Sequence, residues 1–405
     1  MGPGELDRSI VTPAGSPGLL GRLFAGPTLP ALAARLGAML SRRRNRPFRL
    51  GRRVIAARHD HVRELLARDM DFGIAAVNDA KIREVNDGPF ILGMDRSEPL
   101  ERERRALYAA LAAVDMAALR RDVETEIAAR LDPVPDGGMI DAVGDYARPI
   151  AAHAAQHLFG ITGPNDTMFM EVVRSIFAHT FLNLGNDRKI RDRAVKAGFY
   201  MSTWFADEIA RRRAESVHGE DLMGRLIEQG LLDDAGIRRT LGGMLVGSID
   251  TTASCVAKIL AVADRDPTLR AGMALDLDDP ERLHGWCNEA LRRWPHNPIV
   301  LRKANGDTQL AGCAVKAGDS VIAWTQAAML DGSVFPDPKR LRPDRGEAIY
   351  LHLGGGVHPC AGRPVNLFQI PLLVAGLVRR GPLRLGRIGW AGPFPHRLPV
   401  TLGKG

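Results

Sequence analysis

From residue 98 to about residue 333, apolar residues recur at intervals of three and four, and that period confines most of the chain to helices. It is carried by residues 106–118, 123–131, 150–159, 168–182, 194–213, 222–229, 236–263 and 280–293. No repeat at a solenoid spacing accompanies it, so the helices have to pack around a common core. Strand signals lie at the flanks. Residues 48–57 read as a strand pair turning at Gly51, followed by a helix over 59–68. Short strands are expected at 299–302, 308–311 and 320–323, and the Gly- and Pro-bearing tail 383–402 reads as hairpin material. Two segments escape any period: 69–94, interrupted by Gly73, Gly88 and Pro89, and 335–360, which leads into a last apolar helix from about Ala361. The expected architecture is mostly α with small β-sheets.

Composition narrows the partners. Hydrophobic residues make up 45% of the 405 residues and charged residues 25%, enough apolar material for a large core. The net charge is +8, and its location matters more than its size. Residues 1–53 hold 10 Lys/Arg against 2 acids, and residues 54–405 hold 45 of each. Seven arginines crowd into 42–53 with no acid among them. A neutral body with a basic leader excludes a globally basic nucleic-acid binder, so no nucleic-acid partner is expected. The division expected is a basic, amphipathic leader over 1–47 and one large domain over 48–405.

Within the leader, the uncharged stretch 23–34 has 12 residues and two prolines, short of the ~20 that a spanning helix requires. No segment reads as membrane-spanning, and Arg22 and Arg35 break up any secretory signal. Residues 17–53 combine amphipathic character with the arginine run. That is one recipe for peripheral contact with an anionic membrane, while the residues favour the plainer reading of a solvated surface helix and turn. Cys255, Cys287, Cys313 and Cys360 are too widely spaced for a disulfide framework or a structural zinc site, which suits a cytoplasmic chain.

The chemistry concentrates in Leu351-His-Leu-Gly-Gly-Gly-Val-His-Pro-Cys360-Ala-Gly362. Three consecutive glycines let a flat ligand approach the main chain, and a cysteine at the start of an apolar helix has unpaired N–H groups that favour a thiolate. On the residues alone, a metal-binding thiolate and an inert buried cysteine weigh equally.

The segment resembles the haem-binding loop of the cytochrome P450 family, through Gly354, Gly356, His358, Cys360 and Gly362. Further matches follow in family order. Glu289-Ala-Leu-Arg292 resembles the family's ExxR pair, on one helical face by its spacing of three, and Arg345 matches the second arginine of that structural trio. Gly247-Ser-Ile-Asp250-Thr251-Thr252 resembles the oxygen-activation segment. There a threonine hydroxyl bonded back to a carbonyl one turn earlier loosens the helix, and an acid is available to relay protons. The resemblance makes Asp250 and Thr251 catalytic. It makes Arg104, Arg302 and His358 contacts of the haem propionates, for which arginine's fork is well suited. Departures are Leu353 for an aromatic residue, Leu100 for a histidine, Ser248 for a glycine, and prolines at 364 and 371, the second expected to kink or end its helix.

What the resemblance implies is a single large P450-like domain carrying haem b (iron protoporphyrin IX), with Cys360 as axial ligand to the iron. The implied reaction is insertion of one oxygen atom from O2 into a lipophilic small molecule. Electrons would come from a donor protein such as a ferredoxin or flavoprotein, and protons would pass by Asp250 and Thr251. Implied substrate contacts are Phe177, Leu245, Val246, Gly247, Ile299 and Val300, with the 69–94 loop and residues 177–184 around them. Two rivals stay open: a peroxide-driven peroxygenase or hydroperoxide-rearranging relative, motivated by the departures near the cysteine, and a non-catalytic haem-based gas or ligand binder.

Overall fold

A computed structural model describes residues 32, 33, 36, 37, 39, 40, 45–183, 185–391 and 394–403. Most of the 1–47 leader, and Leu184 of the 177–184 segment, lie outside the described residues. Along the chain come β1 Phe48–Leu50, β2 Arg53–Ala56, α1 His59–Ala67, β3 Phe72–Gly73, α2 Ala75–Asn86, α3 Glu98–Ala113 and α4 Met116–Leu131. They are followed by β4 Met139–Asp141, α5 Arg148–Phe159, α6 Asp166–Phe177, α7 Arg188–Glu215, α8 Leu222–Gln229, α9 Asp234–Val246 and α10 Asp250–Arg265. Next are α11 Pro267–Leu275, α12 Pro280–Arg293, β5 Val300–Ala304, β6 Thr308–Leu310, β7 Cys313–Val315, β8 Ser320–Ala323 and α13 Thr325–Ala328. The chain closes with β9 Gly354–Gly355, β10 His358–Pro359, α14 Arg363–Val378, β11 Arg384–Leu385, β12 Gly389–Ala391, β13 Phe394–Arg397 and β14 Pro399–Thr401.

The chain divides into two compact units. The first comprises residues 78–127 and 146–252, and its described residues form helices and their connections, with no strand among them. Its core is built from Leu100, Leu107, Ile150, Phe159, Phe169, Phe205 and Leu241, all buried. Each such side chain removed from water contributes about 1.5–3 kcal/mol. Short polar residues start its helices: Ser97 accepts the Leu100 N–H at 3.3 Å for α3, and Asp233 accepts the Gly236 N–H at 2.7 Å for α9.

The second unit holds every described strand, with α1 and α11 to α14. Its main sheet runs β1-β2-β8-β5-β3. β2 and β8 are parallel with Val54 opposite Val321, and β5 lies antiparallel to β8 with Arg302 opposite Val321. The buried side of the sheet, with Val54, Phe72 and Val321, packs on Val62, Leu65, Phe335 and Leu351. This packing fixes the coil that carries the cysteine loop. A second sheet, β11-β14-β4, and three hairpins complete the unit.

Several sequence expectations need correction. The helix expected over 106–118 ends at Ala113, because the Asp115 carboxylate accepts the Ala117 and Ala118 N–H groups at 2.9 Å each and starts α4. The segment 69–94 contains α2, whose buried residues are only Ile82, Val85 and Asn86, too few to set a visible period. The 168–182 helix ends at Phe177 and continues as a π-helical turn over Ala178–Leu182. Pro371 neither ends nor interrupts α14 as the secondary structure runs, and Pro364 occupies its first turn, where no N–H is needed. Finally, the stretch Asp234–Arg265 is long and apolar enough to cross a membrane, contrary to expectation; 83% of its apolar window is buried, as in a core helix of a globular protein.

Candidate active site

In the first unit, the helix expected over 236–263 is interrupted at residues 247–249. The local sequence supplies the cause. Ser248 Oγ donates to the Leu245 carbonyl at 2.7 Å, Thr251 Oγ1 to the Gly247 carbonyl, and Thr252 Oγ1 to the Ser248 carbonyl at 2.8 Å. Three hydroxyls thus take carbonyls that the helical ladder would otherwise use. Ser248, a departure from the family pattern, adds one of these stitches.

Asp250 opens α10 just after the break and is 3% exposed. Its Oδ1 accepts from Arg174 Nε at 3.0 Å and from the same guanidinium's terminal nitrogen at 2.5 Å, and Arg148 Nε lies 3.2 Å away. Arg148 also pairs with Glu171 at 3.0 Å, so two acids and two arginines balance one another out of water. Asp250 Oδ2 is buried with no hydrogen-bond partner among the described residues. Sequence reasoning missed Arg148 and Arg174, because no spacing motif ties either residue to Asp250.

Also in this unit, Phe177, Leu245 and Val246 are buried and Gly247 is exposed. Phe177 stands 4.7 Å, centroid to centroid, from Phe181 on the π-helical turn. Arg104, on α3, lies 5.6 Å over the Tyr108 ring, and its Nε is buried without a partner among the described residues. Leu100 is fully buried in the same helix, so the family's polar contact there is replaced by core packing.

In the second unit, β9 and β10 form a tight hairpin with His358 opposite Gly355 and Pro359 opposite Gly354. The Cys360 N–H donates to the Leu353 carbonyl at 2.8 Å and closes it. Gly354 and Gly356 have φ of +73° and +67°, which side chains resist, and a Cβ on Gly356 would collide with the Leu66 carbonyl oxygen. Cys360 lies two residues before Gly362, the N-cap of α14, rather than opening the helix. Burial pushes its thiol up, while the Gly362 N–H and the Arg363 guanidinium pull it down. The helix terminus expected to favour a thiolate does not prevail alone; metal ligation deprotonates a thiol outright.

Arg302 on β5 is 3% exposed and donates to the Leu301 carbonyl at 2.9 Å, and His358 is half-buried on β10. Ile299 is exposed and Val300, the first residue of β5, is half-buried. The expected structural trio is present. Glu289 accepts from Arg292 at 2.7 and 2.8 Å and from Arg345 Nε at 3.3 Å. The Arg342 N–H at 3.0 Å and Tyr350 Oη at 2.9 Å complete its shell. Arg292 donates onward to the carbonyls of Met329 and Pro338 at 3.1 and 3.0 Å, tying α12 to the coil before the cysteine loop. Sequence reasoning did not include Tyr350, which is 61 residues from Glu289.

The family model for cytochrome P450 matches residues 165–380, more than half of the chain, and the chain belongs to that family. Mycinamicin IV hydroxylase/epoxidase of Micromonospora griseorubida is 29% identical over 333 residues, covering 77% of this chain and 78% of that enzyme. Nocardicin C N-oxygenase of Nocardia uniformis subsp. tsuyamanensis is 28% identical over 326 residues, with the same coverage of 77% and 78%. Among solved structures, the LnmA P450 hydroxylase of the leinamycin pathway in Streptomyces atroolivaceus S-140 matches with TM-score 0.71 at 27% identity, over 86% of this chain and 90% of that one. CalO2 matches with TM-score 0.78 at 22% identity, over 92% and 96%.

The protein is therefore a haem-thiolate monooxygenase, with haem b as its cofactor and a cysteine thiolate as axial ligand. The residues present in the second unit fit that group: a glycine-lined hairpin, with no room for a Cβ at Gly356, delivers a cysteine.

Proposed function

We propose that this enzyme inserts one oxygen atom from O2 into a lipophilic small molecule of secondary metabolism, in the cytoplasm, with electrons from a ferredoxin or flavoprotein. The observation that carries the reading is the β9–β10 hairpin presenting Cys360, with Gly354 and Gly356 in backbone conformations that keep side chains away. Residues 48–405 form the catalytic domain and 1–47 its basic leader. Cys360 ligates the iron; Gly354, Gly356 and Gly362 shape the loop; Arg104, Arg302 and His358 hold the carboxylate groups of the haem. Glu289, Arg292 and Arg345 hold the coil and take no part in chemistry.

Bound haem supplies the oxygen-activating chemistry. Asp250 and Thr251 manage protons: Oδ2 of Asp250 is the oxygen left to exchange one, since Oδ1 is held by Arg174. The Thr251 hydroxyl, now donating to the Gly247 carbonyl, has lone pairs to accept a proton from the acid side. Phe177, Leu245, Val246, Gly247, Ile299 and Val300 contact the substrate, and their largely apolar character favours a lipophilic one. Residues 17–53 make peripheral contact with an anionic membrane.

Pro364 and Pro371 are accommodated within α14, which weakens the motive for a peroxide-driven alternative. Turnover of a lipophilic substrate with a ferredoxin–reductase system is expected. Turnover with hydrogen peroxide but none with electron donors would overturn the reading in favour of a peroxygenase. A stable ferrous–oxygen complex and no product from any bound ligand would make the protein a haem-based binder.

A further inference from the structure

In the first unit, His153 and His157 are four residues apart on α5 and so lie one above the other on one face of that helix. Their ring centroids are 4.2 Å apart, with the planes tilted by 40°. Asp122 and Glu126 repeat the same spacing on α4. His157 Nδ1 lies 3.0 Å from Asp122 Oδ2. An ionised carboxylate only accepts, so Nδ1 carries the proton and, in the neutral ring, Nε2 keeps its lone pair. The His153 ring makes no hydrogen bond among the described residues. Burial, and next the His157 ring, push His153 down from its ordinary value, while the carboxylates of Glu126, Asp122 and Asp166 pull it up. The side chains of His157 and Asp122 are 46% and 44% exposed, so a hydrated ion reaches them from solvent.

An ordinary surface ion pair accounts for the contact between His157 and Asp122, but not for the second ring stacked on the first. Two imidazoles this close resist double protonation, because like charges at that distance repel. Three carboxylates nevertheless act on them, so the place attracts positive charge. A metal ion reconciles the two demands, since it binds neutral rings through their lone pairs and is itself the cation. Imidazole suits zinc, copper and nickel, whereas magnesium and calcium take oxygen ligands. A carboxylate behind one imidazole, as Asp122 stands behind His157, is the arrangement that fixes tautomer and ring orientation in metal-binding histidines. Among the described residues no three His, Cys, Asp or Glu side chains converge into a closed cage, so an ion held by the two rings keeps water in its other positions.

We propose that His153 and His157 form an open site for a divalent transition-metal ion such as Zn2+, with Asp122 as the positioning residue behind His157 and Glu126 as a source of negative charge. The ion fastens two successive turns of α5, and through Asp122 it ties α5 to α4. None of these four residues enters the oxygenase mechanism, so the site stands or falls independently of the reaction proposed above.

The test is calorimetric titration of the full-length, haem-loaded, tag-free protein with Zn2+ after chelator treatment. One equivalent is expected to bind, to weaken as pH falls because protons compete for the rings, and to raise the thermal midpoint. His153→Ala and His157→Ala are each expected to weaken binding about 100-fold, and Asp122→Asn about ten-fold, with Asp122→Glu restoring most of it. An unchanged carbon monoxide spectrum and metal-free thermal midpoint establish that each variant is folded. The unaltered protein gives a second reading: Zn2+ is expected to protect both rings from carbethoxylation by diethyl pyrocarbonate, followed by peptide mass spectrometry. Binding no tighter than on the order of 1 mM overturns the site, as does equal affinity for Mg2+, which marks a merely acidic surface. Stoichiometric binding that survives both histidine variants, with no protection of either ring, places the ion elsewhere and also overturns it. Unaltered affinity in Asp122→Asn overturns the role given to Asp122.

Discussion

Two buried carboxylates, Glu289 and Asp250, each face a pair of arginines, yet they are not equivalent. Both oxygens of Glu289 are satisfied: Oε1 by Arg292 and Tyr350, Oε2 by Arg292, Arg345 and the Arg342 N–H. Asp250 has Oδ1 held by Arg174, with Arg148 close by, and Oδ2 without a hydrogen-bond partner among the described residues. A saturated carboxylate has no capacity left for chemistry and acts as a rivet. A half-satisfied one carries the cost of an unpaired buried oxygen, which is characteristic of a group kept for function.

The sharpest way to break this comparison is Glu289→Ala. It leaves Arg292 and Arg345 without their buried counter-charge, and a loss of about 3–5 kcal/mol is expected in denaturant unfolding, together with reduced haem content. A loss near zero would mean that the trio is not a rivet.

Lys258 tests the converse case, a buried cation with no carboxylate partner among the described residues. Its Nζ donates to the Pro295 and His296 carbonyls at 3.0 and 3.4 Å, and burial pushes it down to about 8 from its ordinary 10.5. Because the unfolded chain then binds more protons between pH 8 and 10.5, the lysine's contribution to stability rises with pH across that window, by about 3 kcal/mol, and is flat below it. The stability difference between the native chain and Lys258→Met is expected to show that slope. A difference that stays constant with pH would contradict it.

Asp250→Asn keeps the shape and removes the charge. Product formed per O2 consumed is expected to fall about 10- to 100-fold, with stability changing less than for Glu289→Ala, since Arg148 retains Glu171 at 3.0 Å. A destabilised variant with unchanged coupling would make Asp250 another rivet. Tyr350→Phe should have the smallest effect. It removes one of several bonds to Glu289 and is expected to cost about 1 kcal/mol with coupling unaltered, measured by the same unfolding and oxygen-consumption assays.

The two carboxylates also differ in how far the sequence announces them. Glu289 and Arg292 sit one helical turn apart, so their pairing is visible as spacing. Asp250 is visible as a family motif, but its partner Arg174 lies 76 residues away, and only tertiary packing brings them together. The cysteine loop was legible because its glycines and cysteine are contiguous. The helix α2 was not, since polar contacts fix it more than an apolar face does. Lys81 donates to the Asn183 carbonyl at 2.6 Å, Glu84 lies 3.0 Å from His179, and Asn86 donates to the Arg239 carbonyl at 2.9 Å. Likewise the break at residues 247–249 follows from hydroxyls that hydropathy does not register.

The claim on which the rest depends is that Cys360 is the axial ligand, and ligand spectroscopy tests it most directly. Carbon monoxide added to the reduced, haem-loaded protein should give the far red-shifted Soret band of a thiolate-bound haem, and Cys360→Ser should abolish that band. An unchanged band in Cys360→Ser would contradict the assignment.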